Sequence, residues 1–159
     1  MAYAIKGSEE ITNSADMIDG REVSDRIDYL ESEREPLESA VTDCIDALES
    51  ALEEDKDSGG VLMEALGTAK KELAEWEASE EGGELQALKS LYDDISRDST
   101  LIRESYFEDY AQQLADDLGY TSSKMQWPYT CIDWEKAAHE LQSDYSCVDF
   151  DGVTYYTRG

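Results

Sequence analysis

The sequence predicts a mostly α-helical protein with a small α+β module at its C-terminal end, and three observations carry that prediction. From Val23 onward, apolar residues recur at alternating spacings of three and four, which is the pattern of a helix packed along one face. A second run of this kind follows the glycines at 59–60. Near the end of the chain, Asp151-Gly152 separates two alternating stretches, which is a strong signal for a β-hairpin with a two-residue turn.

The first helix is predicted from a seam that runs through the most acidic part of the chain. Pro36 lies inside this pattern and has no backbone N–H. The helix therefore either bends near Glu33 or breaks and restarts with Pro36 in its first turn. The seam consists of Val23, Ile27, Leu30, Arg34, Leu37, Val41, Cys44, Leu48 and Ala51, with Arg34 in the one gap.

Two more helices are expected before the C-terminal module. The stretch DKDSGG (55–60) predicts a tight turn, so the first two helices should form an antiparallel hairpin. The stretch SEEGG (79–83) should end the second helix, with Gly82 and Gly83 as C-cap and turn. A third helix should then cover 84–97. The apolar positions of these two helices are Leu62, Leu66, Ala69, Leu73 and Trp76, followed by Leu85, Leu88, Leu91 and Ile95.

The C-terminal module is predicted to contain two helices and the β-hairpin. A helix over 105–119 should have Ser105 as N-cap, Glu108 completing a capping box, and Gly119 at its C-terminus. An irregular aromatic linker, WPYTC, leads to a helix over 133–144 with Asp133 as N-cap. The predicted organisation thus begins with a weakly patterned segment over 1–18, in which AYAIKGSEEIT (2–12) is either a short strand or a tail. An acidic helical hairpin and bundle follows over 19–98, and the α+β module covers 99–159.

The charge balance restricts the classes of partner. The chain of 159 residues carries 39 Asp and Glu against 13 Lys and Arg, for a formal net charge of -26. Such a charge opposes direct binding to nucleic acid or anionic lipid, because both are polyanions, and it favours a basic protein partner. The N-terminal MAYAIKGSEE lacks the apolar stretch of a secretory signal, and no apolar run is long enough to span a bilayer, so a cytoplasmic protein is expected.

The sequence predicts neither an enzyme nor a cofactor site. It contains no Walker A, G-x-G-x-x-G or H-E-x-x-H motif, and its single histidine, His139, is tied to no nucleophile. The loop that begins at Asp55 fits a calcium-binding loop at positions 1, 3 and 6 but not at positions 5 and 12, so no metal is predicted. Cys44, Cys131 and Cys147 are widely spaced, which is typical of reduced thiols at core positions rather than of a disulfide framework.

The segment over 106–158, YFEDYAQQLADDLGY … CIDWEKAAHELQSDYSCVDFDGVTYYTR, resembles the C-terminal part of the ArdA family of antirestriction proteins from phages and plasmids. The matching positions are Tyr106, Tyr110, Gly119, Ile132-Asp133-Trp134-Glu135, Ala138, Leu141, Tyr145 and Asp151-Gly152. Proteins of that family are acidic DNA mimics that occupy the DNA site of type I restriction-modification enzymes, so the resemblance implies a related role. The acidic helical hairpin stands where that family has its N-terminal and middle domains.

The candidate partner-binding residues are acidic positions on the first helix. Residues 19–57 contain 15 acids and four basic residues, which gives about one net negative charge per 5 Å along a straight helix. One strand of duplex DNA has one per about 3.4 Å. Regular carboxylates on such a helix could bind the Lys and Arg row of a nuclease, although acidic helical surfaces are also commonly just solvated. The predicted residues are Asp25, Asp28, Glu35, Asp46, Glu49 and Glu53 on the outer face, with Glu31 and Glu38 beside the seam.

Nine aromatic residues are concentrated in the C-terminal module and permit two interpretations. They either form the core of this small module or provide a surface for a partner or a second copy. They are Tyr106, Phe107, Tyr110, Trp127, Tyr129, Trp134, Tyr145, Tyr155 and Tyr156.

These observations favour a phage-type anti-defence inhibitor that acts in the host cytoplasm as a DNA mimic. Its partner would be a basic nucleic-acid-binding complex, with restriction-modification favoured by the resemblance and a CRISPR effector as a close second. The alternative is a coiled-coil scaffold protein without DNA mimicry. A homodimer remains open at this point.

Overall fold

The computed structural model describes residues 7–53, 59–122, 124 and 126–158. Within these residues the fold is mostly helical with one small antiparallel sheet, as predicted. The helices are α1 (Gly20–Glu53), α2 (Gly59–Glu77), α3 (Glu80–Asp94), α4 (Phe107–Asp117) and α5 (Trp134–Gln142). The strands are β1 (Met17–Asp19), β2 (Thr100–Arg103), β3 (Ser146–Phe150) and β4 (Val153–Thr157).

The chain divides into two compact units. The first contains the described residues of 1–9 and 25–86, and the second contains those of 10–24 and 87–159. The first unit therefore holds most of α1, all of α2 and the start of α3. The sheet, α4 and α5 belong to the second unit, together with the first residues of α1 and the end of α3.

Helix α1 is continuous and includes Pro36, so of the two alternatives for this proline, the break and restart is wrong. Proline in a helix interior costs a hydrogen bond, and here the long seam on either side provides the compensating packing. Every predicted seam residue is buried or half-buried, from Val23 to Ala51. The periodicity therefore identified the packed face of α1 correctly.

The first unit is an antiparallel helical hairpin, as predicted. Arg26 on α1 binds Glu84, whereas Arg34, further along α1, binds Glu77, which precedes Glu84 in the chain. Rising residue numbers on α1 thus pair with falling residue numbers on the segment that packs against it, so the two segments run in opposite directions. The predicted turn at 55–60 lies largely outside the described residues, as do Asp55 and Asp57 of the rejected calcium loop, while Gly59 and Gly60 already belong to α2.

The junction between α2 and α3 differs from the prediction. Helix α2 ends at Glu77, and α3 begins at Glu80 rather than after the two glycines. Ser79 causes the early start, because its hydroxyl accepts a hydrogen bond from the Gly82 N–H at 3.3 Å, in the manner of an N-cap. A Cβ on Gly82 would lie 2.5 Å from the Glu77 carbonyl oxygen, so glycine here allows the two helices to meet closely.

The sheet has the strand order β1-β2-β4-β3 and is antiparallel throughout. Strands β3 and β4 form the predicted hairpin, and both turn residues have positive φ, 50° at Asp151 and 78° at Gly152. This is the geometry that a type I′ turn requires. Strands β1 and β2 were not predicted, and they extend the hairpin by pairing Met17 with Ile102 and Ile102 with Tyr156.

Helix α4 is shorter than predicted and has a different N-terminus. A 3-10 turn over Glu104–Tyr106 precedes it, its N-cap is Tyr106, and no side chain caps it, so the predicted capping box at Ser105 is wrong. Its C-terminus agrees with the prediction, because Gly119 has a φ of 77°. The Tyr120 N–H donates to the Ala115 carbonyl at 2.9 Å, which completes a Schellman motif.

Helix α5 begins after Asp133, which caps it as predicted. The Asp133 carboxylate accepts a hydrogen bond from the Lys136 N–H at 3.0 Å. Helices α4 and α5 are antiparallel, because Phe107 at the start of α4 contacts Tyr145, just beyond the end of α5, with ring centroids 5.2 Å apart. The C-terminal end of α4 and the N-terminal end of α5 therefore lie at the same end of this helix pair.

The core of the second unit is aromatic, and the structure assigns most of the predicted aromatic set to it. Phe107 is buried among Ile102, Ala111 and Ala138. Its ring meets Tyr156 edge-on at 5.1 Å, a geometry in which aromatic pairs are favourable. The partly buried rings that pack around this cluster are Tyr106, Tyr110, Tyr145 and Tyr156.

Tyrosine hydroxyls in this core hydrogen-bond to one another, to other side chains or to the backbone. The Tyr110 and Tyr145 hydroxyls hydrogen-bond at 3.0 Å, and burial raises the pKa of Tyr110 to about 12. The Tyr155 hydroxyl donates to the carbonyls of Asn13 and Ala15 at 3.0 and 2.8 Å, and burial raises its pKa too. The segment before β1 is thereby attached to the sheet.

Candidate partner-binding surface

Helix α1 carries eleven acidic residues and three arginines. Each arginine binds a carboxylate from another segment of its own unit. The arginines therefore link α1 to other segments, and the acids of α1 still outnumber them by eleven to three. The pairs are Arg21 with Asp98, Arg26 with Glu84, and Arg34 with Glu77.

The pair between Arg26 and Glu84 is almost fully buried, with side-chain exposures of 7% and 10%. Two parallel hydrogen bonds join the guanidinium to the carboxylate, at 3.0 Å from Nε to Oε1 and 2.6 Å from Nη2 to Oε2. Nη1 also donates to the carbonyls of Gly7 and Ser8, and the guanidinium lies 5.4 Å from the centre of the Tyr29 ring. Such complete pairing is what allows a charge to be buried.

Arg34 occupies a seam position and joins the two helices of the hairpin. Its Nη2 atom lies 2.6 Å from Glu77 Oε1 on α2 and 2.9 Å from Glu38 Oε1 on α1. The hydrogen bond to Glu77 raises the pKa of Arg34 above its ordinary value, and partial burial opposes that rise. The one polar residue in the predicted seam thus acts as a bridge between α1 and α2.

Seven of the eight predicted partner-binding residues are exposed on α1. Asp25 is the exception, because it is half-buried. The chain before β1 lies directly over it, since a Cβ on Gly7 would be 2.1 Å from the Asp25 carbonyl oxygen. The exposed seven are Asp28, Glu31, Glu35, Glu38, Asp46, Glu49 and Glu53.

Four of these residues line one surface groove of about 430 Å³ in the first unit. Pro36 lies beside it and has no N–H to donate to the Ser32 carbonyl, which therefore lacks its usual helical donor. A groove bordered by carboxylates offers hydrogen-bond acceptors that suit a guanidinium or ammonium group. Its lining residues are Asp28, Glu31, Ser32, Arg34, Glu35 and Glu38.

The remaining chemically reactive residues form no cluster in the described part of the chain. His139 is exposed in the last turn of α5. The three cysteines are free, but Cys131 and Cys147 are exposed, so their expected core positions are wrong. No group of three or more His, Cys, Asp and Glu side chains in the described residues is arranged to hold a metal ion.

Several large apolar residues are exposed to solvent, and the sequence pattern does not distinguish them from core residues. The aromatic set that includes Trp127 and Tyr129 permits a core or a surface interpretation, and these two residues are exposed. The only sequence signal was their place in an irregular linker outside any periodic stretch. Other large apolar residues exposed to solvent are Met17, Leu118 and Tyr120 in the second unit, and Ile45, Leu52, Val61 and Met63 in the first.

Comparison with known proteins identifies no relative. The chain matches no protein-family model, and no curated protein or solved structure is significantly similar to it. Among the described residues, no helix has both the length and the apolar content to cross a bilayer. Any functional assignment therefore depends on the sequence and the surface of this chain.

Proposed function

We propose that this protein is a non-catalytic anti-defence inhibitor that presents the acidic face of α1 as a mimic of the DNA phosphate backbone. The observation that carries the proposal is the row of seven exposed carboxylates on one continuous helix. The three arginines of α1 bind carboxylates from other segments, and Arg34 also pairs with Glu38 of the row, so eleven acids on α1 face only three basic residues of the same helix. The protein would act in the cytoplasm of the host cell.

The charge density supports mimicry of a single DNA strand. The 34 residues of α1 extend about 51 Å at about 1.5 Å per residue, so its eleven acids and three arginines give one net negative charge per roughly 6 Å. A DNA strand carries one charge per about 3.4 Å. A basic channel that binds phosphates would accept such a row, because its lysines and arginines recognise charge and spacing rather than base sequence.

Competition for a basic channel is the proposed mechanism. Binding of α1 would release counterions and occupy the lysines and arginines that otherwise hold DNA. The resemblance of 106–158 to ArdA proteins favours a type I restriction-modification complex as the target. A CRISPR effector is the second candidate, since its DNA channel is also positively charged.

Neutralisation of the exposed carboxylates tests this proposal. One variant would replace Asp28, Glu35, Asp46, Glu49 and Glu53 by Asn or Gln, which keeps their size but removes their charge. We expect it to fold and to lose about tenfold or more in its ability to displace a labelled duplex from a purified type I restriction complex or a Cas9-type effector.

A matched variant controls for net charge alone. It would neutralise five exposed acids of the second unit, namely Asp93, Glu108, Asp109, Glu140 and Asp144. This control should inhibit like the wild-type protein if the arrangement on α1 matters. Equal inhibition by the α1 variant and the wild type, against every target that the wild type inhibits, would contradict the mimicry proposal.

A coiled-coil scaffold is the second candidate function, and a separate observation favours it. Leu52, Val61 and Met63 are exposed near the ends of α1 and α2, where a helical partner could cover them. Binding through these residues would persist at high salt, whereas binding through carboxylates weakens steeply as salt rises. Capture of partners at 0.1 M and 1 M salt therefore distinguishes the two functions.

A further inference from the structure

The two ends of the α4–α5 helix pair differ in the burial of their aromatic residues. At one end, Phe107, Tyr110 and Tyr145 pack into the core. At the other end, large apolar side chains face solvent. Their exposed fractions are 61% for Leu118, 72% for Tyr120, 80% for Trp127 and 50% for Tyr129. We call these four residues the exposed aromatic end.

Short local structures hold the members of the exposed aromatic end in place. Tyr120 belongs to the Schellman motif that closes α4. Trp127 and Tyr129 border a 3-10 turn in which the Tyr129 N–H donates to the Gln126 carbonyl at 3.0 Å and the Cys131 N–H donates to the Pro128 carbonyl at 2.9 Å. The rings are thus displayed from hydrogen-bonded backbone at one end of the pair.

The charges near the exposed aromatic end are predominantly negative. Four exposed acids and two exposed lysines lie at the adjoining ends of α4 and α5 and in the linker between them. An exposed tryptophan in a segment of net negative charge suits a cationic group, because carboxylates attract the charge and the ring face binds the cation. These residues are Asp116, Asp117, Asp133 and Glu135, with Lys124 and Lys136.

We propose that the exposed aromatic end is a contact surface for arginine side chains of a basic protein partner. Arginine fits better than lysine, because its planar guanidinium stacks on aromatic rings and is more weakly hydrated. A second copy of this chain is disfavoured by the net charge of -26, and a nucleic acid strand is disfavoured for the same reason. The proposal depends on the proposed function only for the basic character of the partner.

Two oligopeptides of equal charge test the proposal on the full chain. Nona-arginine and nona-lysine would be titrated against the wild-type protein at 0.15 M salt, and affinity would be followed by calorimetry. We expect the wild type to bind nona-arginine more tightly than nona-lysine. Trp127→Ala combined with Tyr129→Ala should reduce this arginine preference by about three- to tenfold, because two exposed stacking contacts are lost.

The control variant removes exposed apolar area from the first unit instead. Leu52→Ala combined with Val61→Ala should retain the full arginine preference. An equal affinity of the wild type for both peptides, or a preference that survives the loss of Trp127 and Tyr129, would overturn the proposal. Two other results would also overturn the proposal. One is a wild-type dimer, seen in sedimentation, that the double aromatic variant does not form. The other is binding of the wild type to single-stranded oligothymidine that the double aromatic variant loses.

Failure of this inference is distinguishable from failure of the proposed function. The five-residue neutralisation of α1 should weaken binding of both peptides while leaving their ratio unchanged. Loss of the ratio in the aromatic variant, with inhibition independent of the α1 carboxylates, would refute mimicry and retain the aromatic contact. If the aromatic variant kept the wild-type ratio of the two peptide affinities while inhibition depended on the α1 carboxylates, the aromatic contact would be refuted and mimicry retained.

Discussion

The two units of the protein are stabilised in different ways. In the first unit, few hydrophobic side chains are fully buried, and two of them are alanines, Ala51 and Ala69. The ion pair between Arg26 and Glu84 is almost fully buried in the same unit. In the second unit, aromatic and branched side chains form the core, with Phe107 and Tyr155 at 1% and 0% exposure. One unit thus depends on a narrow seam with a buried charge pair, and the other on a packed aromatic cluster.

This difference shows how a chain can display a large charge and still fold. A helical hairpin buries only one stripe of each helix, so the opposite stripes remain available for carboxylates. The seam residues of α1 from Leu37 to Leu48 are only half-buried, as expected for such a stripe. The second unit leaves less of its helix surface free for carboxylates, because its sheet and helices enclose side chains on several sides.

The largest expected effect is in the second unit. Phe107→Ala should reduce the free energy of unfolding of this unit by about 4 kcal/mol, because it removes the ring that contacts Tyr110, Tyr145 and Tyr156. Urea unfolding followed by circular dichroism, with hydrogen exchange of the Tyr155 amide, measures the loss. Trp127→Ala is the matched control and should change stability by less than about 0.5 kcal/mol. Equal losses in the two variants would contradict the assigned core.

The second-largest expected loss of stability is in the first unit, where a substitution removes one partner of the buried ion pair. Glu84→Gln should cost about 3 kcal/mol, because it leaves the buried Arg26 guanidinium without its carboxylate. Asp98→Asn breaks an ion pair whose side chains are 63% and 80% exposed, so solvent screening should make its cost far smaller than that of Glu84→Gln. Chemical denaturation of both variants provides the measurement. A smaller loss for Glu84→Gln than for Asp98→Asn would show that the hairpin does not depend on the buried pair.

The smallest effect concerns two open glycines with opposite backbone requirements. Gly152→Ala should destabilise the β-hairpin by about 1 kcal/mol, because the φ of 78° strains any residue with a Cβ. Gly67→Ala in α2 should stabilise the first unit by roughly 0.5 to 1 kcal/mol, because alanine favours helix. The melting temperature should therefore fall for Gly152→Ala and rise for Gly67→Ala. A change of the same sign in both variants would refute one of the two local assignments.

Local patterns determined the elements that depend on neighbouring residues. The seam of α1, the second seam through Leu66 and the Asp151-Gly152 turn are all properties of contiguous sequence, since helix periodicity and turn chemistry act over a few residues. Boundaries were less well predicted. The two glycines at 82–83 suggested a helix end, but Ser79 caps α3 before them and the close approach of α2 requires Gly82.

The tertiary structure alone decided the features that join distant parts of the chain. Strands β1 and β2 have three and four residues, too few for a periodic signal, and they exist because Ile18 can pair with Leu101 and Ile102 with Tyr156. The sequence by itself determined the amount of negative charge and its placement on one helical face. Which arginines are paired, and which aromatic residues face solvent, depends on the meeting of segments far apart in the chain, and burial is a property of that packing rather than of residue type.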